Sequence, residues 1–136
     1  MGVLARLFRA EHDSEGTVAS EDVVALRRYR HLLGTAPAES IEQAHAEAFG
    51  ELPDPARAAI YEELSRGSGT GERPLSSEPA TLARSASRAE GRVPGSIEST
   101  LRAADDRGGF AGALVDPVVD HVAASPLVSA FLPWNG

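Results

Sequence analysis

The sequence predicts an all-α protein, a small bundle of four to five short helices that continues into an apolar helical arm at the C-terminus. Apolar residues recur at spacings of three and four along most of the 136-residue chain, as they do on one face of a helix. Several of these stretches begin and end at residues that favour the start or the end of a helix. No stretch alternates convincingly between apolar and polar residues, and the one β-branched cluster, residues 115–122, contains a proline that argues against a central strand.

The first helix is predicted over about residues 21–33. It follows a flexible N-terminus, residues 1–20, whose polar second half is typical of a linker. Ser20 is a good N-cap residue, because its hydroxyl can accept a hydrogen bond from a free N–H group at the helix start. Glu21 and Asp22 place negative charge in the first turn, where the helix dipole favours it.

The second helix has the clearest pattern in the chain. Pro37 suits its first turn, and Gly50 closes it. Glutamates occupy most of the face that is predicted to meet water. The predicted buried stripe follows the spacing i, i+3, i+4, i+7 and i+8 and consists of Ile41, Ala44, His45, Ala48 and Phe49.

Three further helices complete a helical core domain over residues 21–104. The Asp-Pro dipeptide at residues 54–55 supplies a cap and a first-turn proline for the third helix. The fourth helix is predicted to start near Pro79 and to stop before Pro94. A short fifth helix is predicted over residues 97–103. Because the connection from Phe49 to Asp54 is short, the second and third helices are expected to be adjacent and antiparallel or steeply crossed.

A linker, residues 105–109, is predicted to separate the core from the arm, residues 110–136, the most apolar part of the chain. The arm is long enough to span a bilayer, but Asp116 and Asp120 would each cost ~2.5–3.5 kcal/mol there, which excludes a spanning helix. The arm is therefore expected to dock on its own core, a second copy, a protein partner or a membrane surface. The side chains predicted to make this contact are Phe110, Leu114, Val118, Val122, Leu127, Phe131 and Trp134.

Charge and composition limit the classes of function. The chain has no Lys, so its 13 basic residues are all Arg; they face 20 acidic residues, and the net charge is −7. An acidic chain without a basic cluster is a poor non-specific nucleic-acid binder, and no nucleic-acid partner is expected. The lack of Cys excludes disulfides, thiolate metal sites and a Cys nucleophile. Residues 37–66 carry most of the excess acid, with two Arg against seven acidic residues.

Glu42 and His45 are the candidate metal ligands. Their Glu-x-x-His spacing on one helix lets both side chains reach one metal, as in di-iron carboxylate bundles. Such sites need a second motif of this kind, and the residues three positions before the other histidines are not acidic. Because His45 also lies on the apolar stripe, a core histidine bonded to a neighbouring carboxylate or backbone group is the favoured interpretation.

Other polar groups do not assemble into a catalytic motif. Asp120 and His121 are adjacent, and side chains of neighbours on a helix point in different directions. Ser125 and Ser129 lack the Gly-x-Ser-x-Gly turn of a hydrolase nucleophile. The glycine-rich stretch at residues 67–71 follows no strand and precedes no Lys, which favours a loop over a phosphate-binding motif. The sequence therefore favours a non-enzymatic function.

One basic, partly aromatic run occurs at residues 27–31, Arg-Arg-Tyr-Arg-His. The run can pair with the acidic face of the second and third helices, or with phosphate. The favoured interpretation is intramolecular or solvated charge. Exposed ion pairs of this kind contribute only ~0–1 kcal/mol each, so the run by itself does not indicate a binding site.

The nonapeptide Ile41-Glu-Gln-Ala-His-Ala-Glu-Ala-Phe49, with Thr35-Ala-Pro37 before it and Pro94-Gly95 well after it, resembles a family of small helical proteins from high-GC bacteria. The resemblance covers about residues 25–102. It implies a helical fold unit and brings no catalytic residues. Members of the family are often labelled cation-transporting ATPases, but this chain has neither an Asp-Lys-Thr-Gly phosphorylation loop nor an array of transmembrane segments.

The sequence as a whole predicts a small acidic helical interaction protein, which associates non-covalently with a protein partner or with itself and needs no cofactor. The N-terminus lacks the apolar core, about 7–15 residues, of a secretory signal, which favours the cytoplasm. Two alternatives stand beside this prediction. One is a metal-binding protein that uses Glu42 and His45, and the other is a peripheral membrane protein that uses the C-terminal arm.

Overall fold

The structure is a computed structural model that describes residues 12–67 and 73–132, with side chains from residue 23 onward. The described residues form six α-helices and a short 3₁₀ turn and include no strand, so the predicted all-α class is confirmed. The helices are α1 (His12–Thr35), α2 (Ala38–Gly50), α3 (Asp54–Gly67), α4 (Pro79–Arg92), α5 (Ser96–Gly108) and α6 (Val115–Ala123), and the 3₁₀ turn is Ser129–Phe131.

Helix α2 packs against both α4 and α6. Its contact with α4 is the most extensive between any two described helices. Helix α4 buries Ala83 and Ala86 in the core, and short side chains of this kind let two helix axes approach closely. The predicted stripe of α2 is confirmed, since its buried residues are Ile41, Ala44, His45, Ala48 and Phe49.

Helix α1 begins at His12, earlier than the sequence predicted. The sequence placed residues 12–20 in a flexible segment before the first helix, whereas the structure describes them as part of α1. The prediction relied on the polar composition of this stretch. The stretch contains no proline, however, and acidic residues such as Asp13 suit the first turn of a helix. Residues 1–11 lie outside the described residues.

The C-terminal segment belongs to the core and is not a separate arm. Helix α6 packs against α1, α2 and α5. Leu114, Val118 and Val122 are fully buried in the same apolar cluster as Leu32 and Phe49. The prediction of a separate arm is wrong because the other helices are rich in Ala, and the larger side chains of α6 supply apolar volume that Ala cannot. Of the docking sites predicted for this segment, its own core is the one observed.

The predicted linker, residues 105–109, is mostly helix. Helix α5 continues to Gly108 and ends at Gly109, whose φ of 69° lies in the left-handed region that glycine tolerates. Asp105 is buried in the last turn of α5. The apolar cluster is continuous across this point, so the predicted boundary between core and arm does not divide the fold.

None of the described helices is both long and apolar enough to cross a membrane. The most apolar part of the sequence folds instead as the nine residues of α6 and the 3₁₀ turn after it. Pro117 lies in the first turn of α6, where its missing N–H group has no intrahelical partner to lose. The exclusion of a spanning helix in this segment is confirmed.

Candidate functional site

His45, one of the two predicted metal ligands, lies in the core with both ring nitrogens bonded. It is fully buried, and its Nδ1 atom lies 2.7 Å from the carbonyl oxygen of Ile41. A carbonyl oxygen can only accept, so Nδ1 carries the proton and donates it. The Nε2 atom then accepts from the Tyr29 hydroxyl, 2.8 Å away. The imidazole is therefore the neutral tautomer with its proton on Nδ1.

Burial keeps both members of this pair uncharged. Removal from water lowers the pKa of His45 to about 4, an effect that the bond to the Ile41 carbonyl only partly opposes. Burial also raises the pKa of Tyr29 well above its usual value, so the hydroxyl keeps the proton that it donates. The ring of Phe49 packs edge-on against the imidazole, with 5.8 Å between ring centroids. The pair is a polar part of the core, closed to solvent.

Glu42 does not complete a metal site with His45. Its carboxylate lies 3.6 Å from the Arg84 Nε atom on α4 and is partly exposed, whereas the imidazole is enclosed. A metal at Nε2 would have to displace the Tyr29 hydroxyl from the core. In the part of the chain that the structure describes, no group of three or more His, Cys, Asp or Glu could hold a metal ion. The histidine bonded to a backbone group, which the sequence favoured over a metal ligand, is the arrangement that the structure describes.

We expect Tyr29→Phe to lower the free energy of unfolding by about 1–2 kcal/mol, because the buried Nε2 of His45 loses its donor while the ring volume stays the same. Urea unfolding followed by circular dichroism measures the change. Tyr61→Phe is the matched control, since the partly buried Tyr61 hydroxyl has no hydrogen-bond partner among the described residues, and it should change stability by less than about 0.5 kcal/mol. Equal losses in both variants would rule out the Tyr29–His45 bond as the cause.

The residues predicted to form an interaction arm do not present a common surface. Phe131 is 38 % exposed, and Trp134 lies outside the described residues. The members that are fully or partly buried against the core are Phe110, Leu114, Val118, Val122 and Leu127. Leu114, Val118 and Val122 contact the protein's own core, and their burial removes these side chains from contact with a membrane surface.

Two buried carboxylates satisfy the N–H groups at the start of the helix that follows them. Glu90, near the end of α4, accepts from the N–H groups of Gly95 and Ile97 at 2.8 and 2.9 Å. Asp105, at the end of α5, accepts from three N–H groups at the start of α6, with N···O distances of 2.7 to 3.0 Å. These groups would otherwise lack acceptors, so both carboxylates orient the next helix and are structural.

The serine and histidine side chains weighed as catalytic residues also have structural contacts. The Oγ atom of the buried Ser125 accepts from the Leu127 N–H group at 3.1 Å. The His121 Nε2 atom lies 3.5 Å from a carboxylate oxygen of Glu47 on α2. Within the glycine-rich stretch, residues 68–71 lie outside the described residues, so the loop predicted there stays a prediction.

An exposed row of arginines on α4 is the strongest candidate site. Arg84, Arg88 and Arg92 follow one another at i, i+4 and i+8, so they lie along one face of the helix, and all three are exposed. Arg73, in the segment before α4, lies beside Arg84 and Arg88 around a cleft. We call these four residues the α4 arginine surface.

The cleft of the α4 arginine surface has a volume of about 250 Å³. Its lining includes Arg73, Arg84 and Arg88, together with Thr81 and the 94 % exposed Leu75. Sites for whole small molecules usually measure about 300–1,000 Å³. The cleft therefore fits one side chain or one anionic group better than it fits a cofactor.

The arginines of this cleft have few acidic partners. In residues 12–67 and 73–132, no carboxylate lies within ion-pair distance of Arg73 or Arg88, and Arg84 has only the 3.6 Å contact with Glu42. Elsewhere, Glu98 and Glu63 each bind two arginines. Those pairs are Arg30–Glu98, Arg102–Glu98, Arg66–Glu63 and Arg107–Glu63. Arg73 and Arg88 thus place positive charge without a carboxylate partner, among the described residues, at this cleft of an acidic protein.

The basic run predicted at residues 27–31 is divided between core and surface. Tyr29 is buried, and Arg30 donates two hydrogen bonds, at 2.9 and 2.8 Å, to Glu98 on α5. The bond from Arg30, with a further one from Arg102, outweighs burial and lowers the pKa of Glu98 to about 2. The favoured interpretation of intramolecular charge is confirmed for Arg30, although its partner lies on α5 and not on the second or third helix.

A larger cleft of about 500 Å³ lies between the ends of α3 and α4 and the start of α5. Arg92, Ser96 and Thr100 contribute polar groups to its lining. The start of a helix can bind an anion through its free N–H groups. Here the Glu90 carboxylate already accepts from two of them, so this position is occupied by the protein's own anion.

The α4 arginine surface was not predicted from the sequence. Residues 67–107 contain six Arg and six acidic residues, so their summed charge gives no signal. The structure buries Glu90 and Asp105, which leaves the exposed charge of this region positive. The i, i+4, i+8 spacing of three arginines is the sequence signal that could have found the surface.

No protein-family model, curated protein or solved structure matches the chain. The α4 arginine surface, its small cleft and the acidic helices around it are therefore the features from which function can be inferred.

Proposed function

We propose that this chain is a non-enzymatic interaction protein that binds an acidic segment of a protein partner on the α4 arginine surface. The observation that carries the proposal is the row of exposed arginines on one helix face, of which Arg88 has no carboxylate partner within the described ranges. The association is non-covalent and needs no cofactor. Its contacts are hydrogen bonds and ion pairs from guanidinium groups to carboxylates.

The spacing of the arginines suits an extended partner segment. Residues four apart on a helix are separated by about 6 Å along its axis. Alternate side chains of an extended chain are about 6.6 Å apart on one face. A segment with acidic residues at every second position can therefore meet Arg84, Arg88 and Arg92 in register. Each guanidinium group is planar and can bind one carboxylate through two parallel hydrogen bonds.

The rest of the surface favours the same placement of the partner. Exposed acidic residues such as Glu39, Glu47 and Glu62 dominate the outer faces of α2 and α3. An acidic segment is repelled from these faces and attracted to α4, so the charge pattern selects both the site and the orientation of the partner. The acidic faces of a second copy of this chain can also bind these arginines. A second copy would therefore compete with the partner segment for the α4 arginine surface.

We expect a double variant, Arg84→Gln with Arg88→Gln, to bind an acidic peptide about tenfold more weakly than the wild type, because two exposed ion pairs contribute together about 1–2 kcal/mol. Fluorescence anisotropy with a labelled peptide that carries Glu at alternate positions measures the affinity. Wild-type binding should weaken as salt rises from about 0.05 M to about 0.5 M, since salt screens exposed charges.

The matched control removes two arginines from another part of the molecule, with Arg66→Gln and Arg107→Gln combined. Both side chains are exposed and pair with Glu63, so this variant has the same net charge but an intact α4 arginine surface. It should keep wild-type affinity. Equal losses in both double variants would show that net charge alone controls binding, and a wild type that binds no acidic peptide would overturn the proposal. Size-exclusion chromatography at low salt tests for a second copy as the occupant.

A further inference from the structure

We propose that the cleft among Arg73, Arg84 and Arg88 takes a phosphate monoester, the side chain of a phosphoserine or phosphothreonine in the partner segment. This inference rests on the proposed function, because it names the group within an acidic segment that the α4 arginine surface binds most tightly. It also assigns a role to Arg73, which lies outside the helical row.

Three arginines from two parts of the chain line the cleft. Arg84 and Arg88 lie one helical turn apart on α4, and Arg73 comes from the segment before the helix. A phosphoryl group presents three terminal oxygens, so it can accept hydrogen bonds from several guanidinium groups at once. A carboxylate presents only two oxygens in one plane, which suits a single guanidinium group.

The charge at the cleft favours a dianion. Neither Arg73 nor Arg88 has a carboxylate within ion-pair distance in the described part of the chain, and Arg84 shares its charge with Glu42 at 3.6 Å. About two positive charges are therefore uncompensated. A phosphate monoester carries about −1.5 to −2 at pH 7, whereas a carboxylate carries one negative charge, so the phosphate matches the cleft more closely.

The size and the remaining lining of the cleft are consistent with this group. A volume of about 250 Å³ admits a phosphoryl group on its side chain but is small for a nucleotide. Thr81 adds a hydroxyl donor to the lining. Leu75, which is 94 % exposed beside the cleft, offers an apolar contact to the residue that follows the phosphorylated one.

Three labelled acidic peptides test the inference. They share one sequence, with a central phosphoserine, Glu or Ser followed by Leu, and their affinities for the full chain are measured by fluorescence anisotropy. The phosphoserine peptide should bind about tenfold more tightly than the Glu peptide, as an additional charged hydrogen bond predicts. The second pKa of phosphoserine is about 6, so this preference should shrink from about pH 7.5 to about pH 5.5, while the affinity for the Glu peptide stays constant.

Single substitutions within the α4 arginine surface test separately the arginines that line the cleft and the arginine that lies only in the row on α4. Arg73→Gln and Arg88→Gln should each remove the preference for phosphoserine over Glu, because both side chains line the cleft. Arg92→Gln is the matched control, because Arg92 lies on the same face of α4 but outside this cleft. This variant should bind all three peptides more weakly by the same factor and should keep the preference for phosphoserine over Glu.

The possible outcomes distinguish this inference from the proposed function. Equal affinity for the phosphoserine and Glu peptides would overturn the phosphate assignment and leave the proposed function standing. A failure to bind any of the three peptides would overturn both. Tighter binding to vesicles of phosphatidic acid and phosphatidylcholine than to the phosphoserine peptide would assign the phosphoryl group to a lipid and overturn the peptide as its source.

Discussion

Asp105→Ala should lower the free energy of unfolding by about 3 kcal/mol. The buried carboxylate accepts hydrogen bonds from Gly112, Leu114 and Val115, and its loss leaves three N–H groups at the start of α6 without their acceptor, at about 1 kcal/mol each. Burial by itself would raise the pKa of Asp105. The three hydrogen bonds outweigh burial and hold the pKa below its usual value, as expected for a carboxylate stabilised in its charged form.

The neighbouring residue provides the control for this variant. Asp106→Ala makes the same charge change one position later, at an exposed side chain, and should alter stability by less than about 0.5 kcal/mol. Urea unfolding measures both variants, and amide hydrogen exchange should show α6 losing protection first in Asp105→Ala. If the two variants lose equal stability, the carboxylate of Asp105 does not hold the start of α6.

Acidification from pH 6.5 to pH 4 should remove about 3 kcal/mol of stability through His45. In the unfolded chain its pKa is the ordinary 6.5, and in the folded chain burial lowers it to about 4. As the pH falls through 6.5, His45 is therefore protonated in the unfolded chain but stays neutral in the folded chain. The stabilisation is fully present above pH 6.5, declines down to about pH 4, and is gone below that value. The difference between the two pKa values corresponds to about 3 kcal/mol.

This pH range separates His45 from the carboxylates. Glu98 and Asp105 have lowered pKa values in the folded chain, so their stabilisation is present above their unfolded pKa values, near 4, and is lost only at lower pH. Urea unfolding between about pH 4.5 and pH 7 therefore reports on His45. The His45→Gln variant should be less stable at pH 7 and should lose most of the pH dependence. A slope that persists in this variant would assign the effect to another group.

Local patterns were sufficient to predict most helices. The buried stripe of α2 follows from the spacing of Ile41, Ala44 and Phe49, and Asp54 was placed at the start of α3 from its side chain and the proline after it. These features depend on residues within one or two turns, which is why a sequence reveals them. The start of α1 was misplaced because polar composition does not by itself prevent a helix.

The surface that the apolar C-terminal segment contacts is a property that the local sequence cannot show. An apolar segment looks the same whether it covers its own core or a partner, and Val118 and Val122 are buried only because α1 and α2 lie beside them. The pairing of Glu42 and His45 shows the same dependence on distant residues. Their spacing on α2 is suitable, but Tyr29, sixteen positions before His45, occupies the imidazole nitrogen that a metal would need.

By itself, the sequence determined the helical class, the location of most helices and the burial of His45, because periodicity and capping are local properties of the chain. The tertiary structure decided where α6 packs, which carboxylates are removed from the surface, and that Arg73 joins Arg84 and Arg88 at one cleft. Those outcomes depend on how distant segments lie against each other. Along the sequence, the charges of residues 67–107 sum to zero. In the fold, Glu90 and Asp105 are buried, so the charge that stays exposed in the described part of this region is positive.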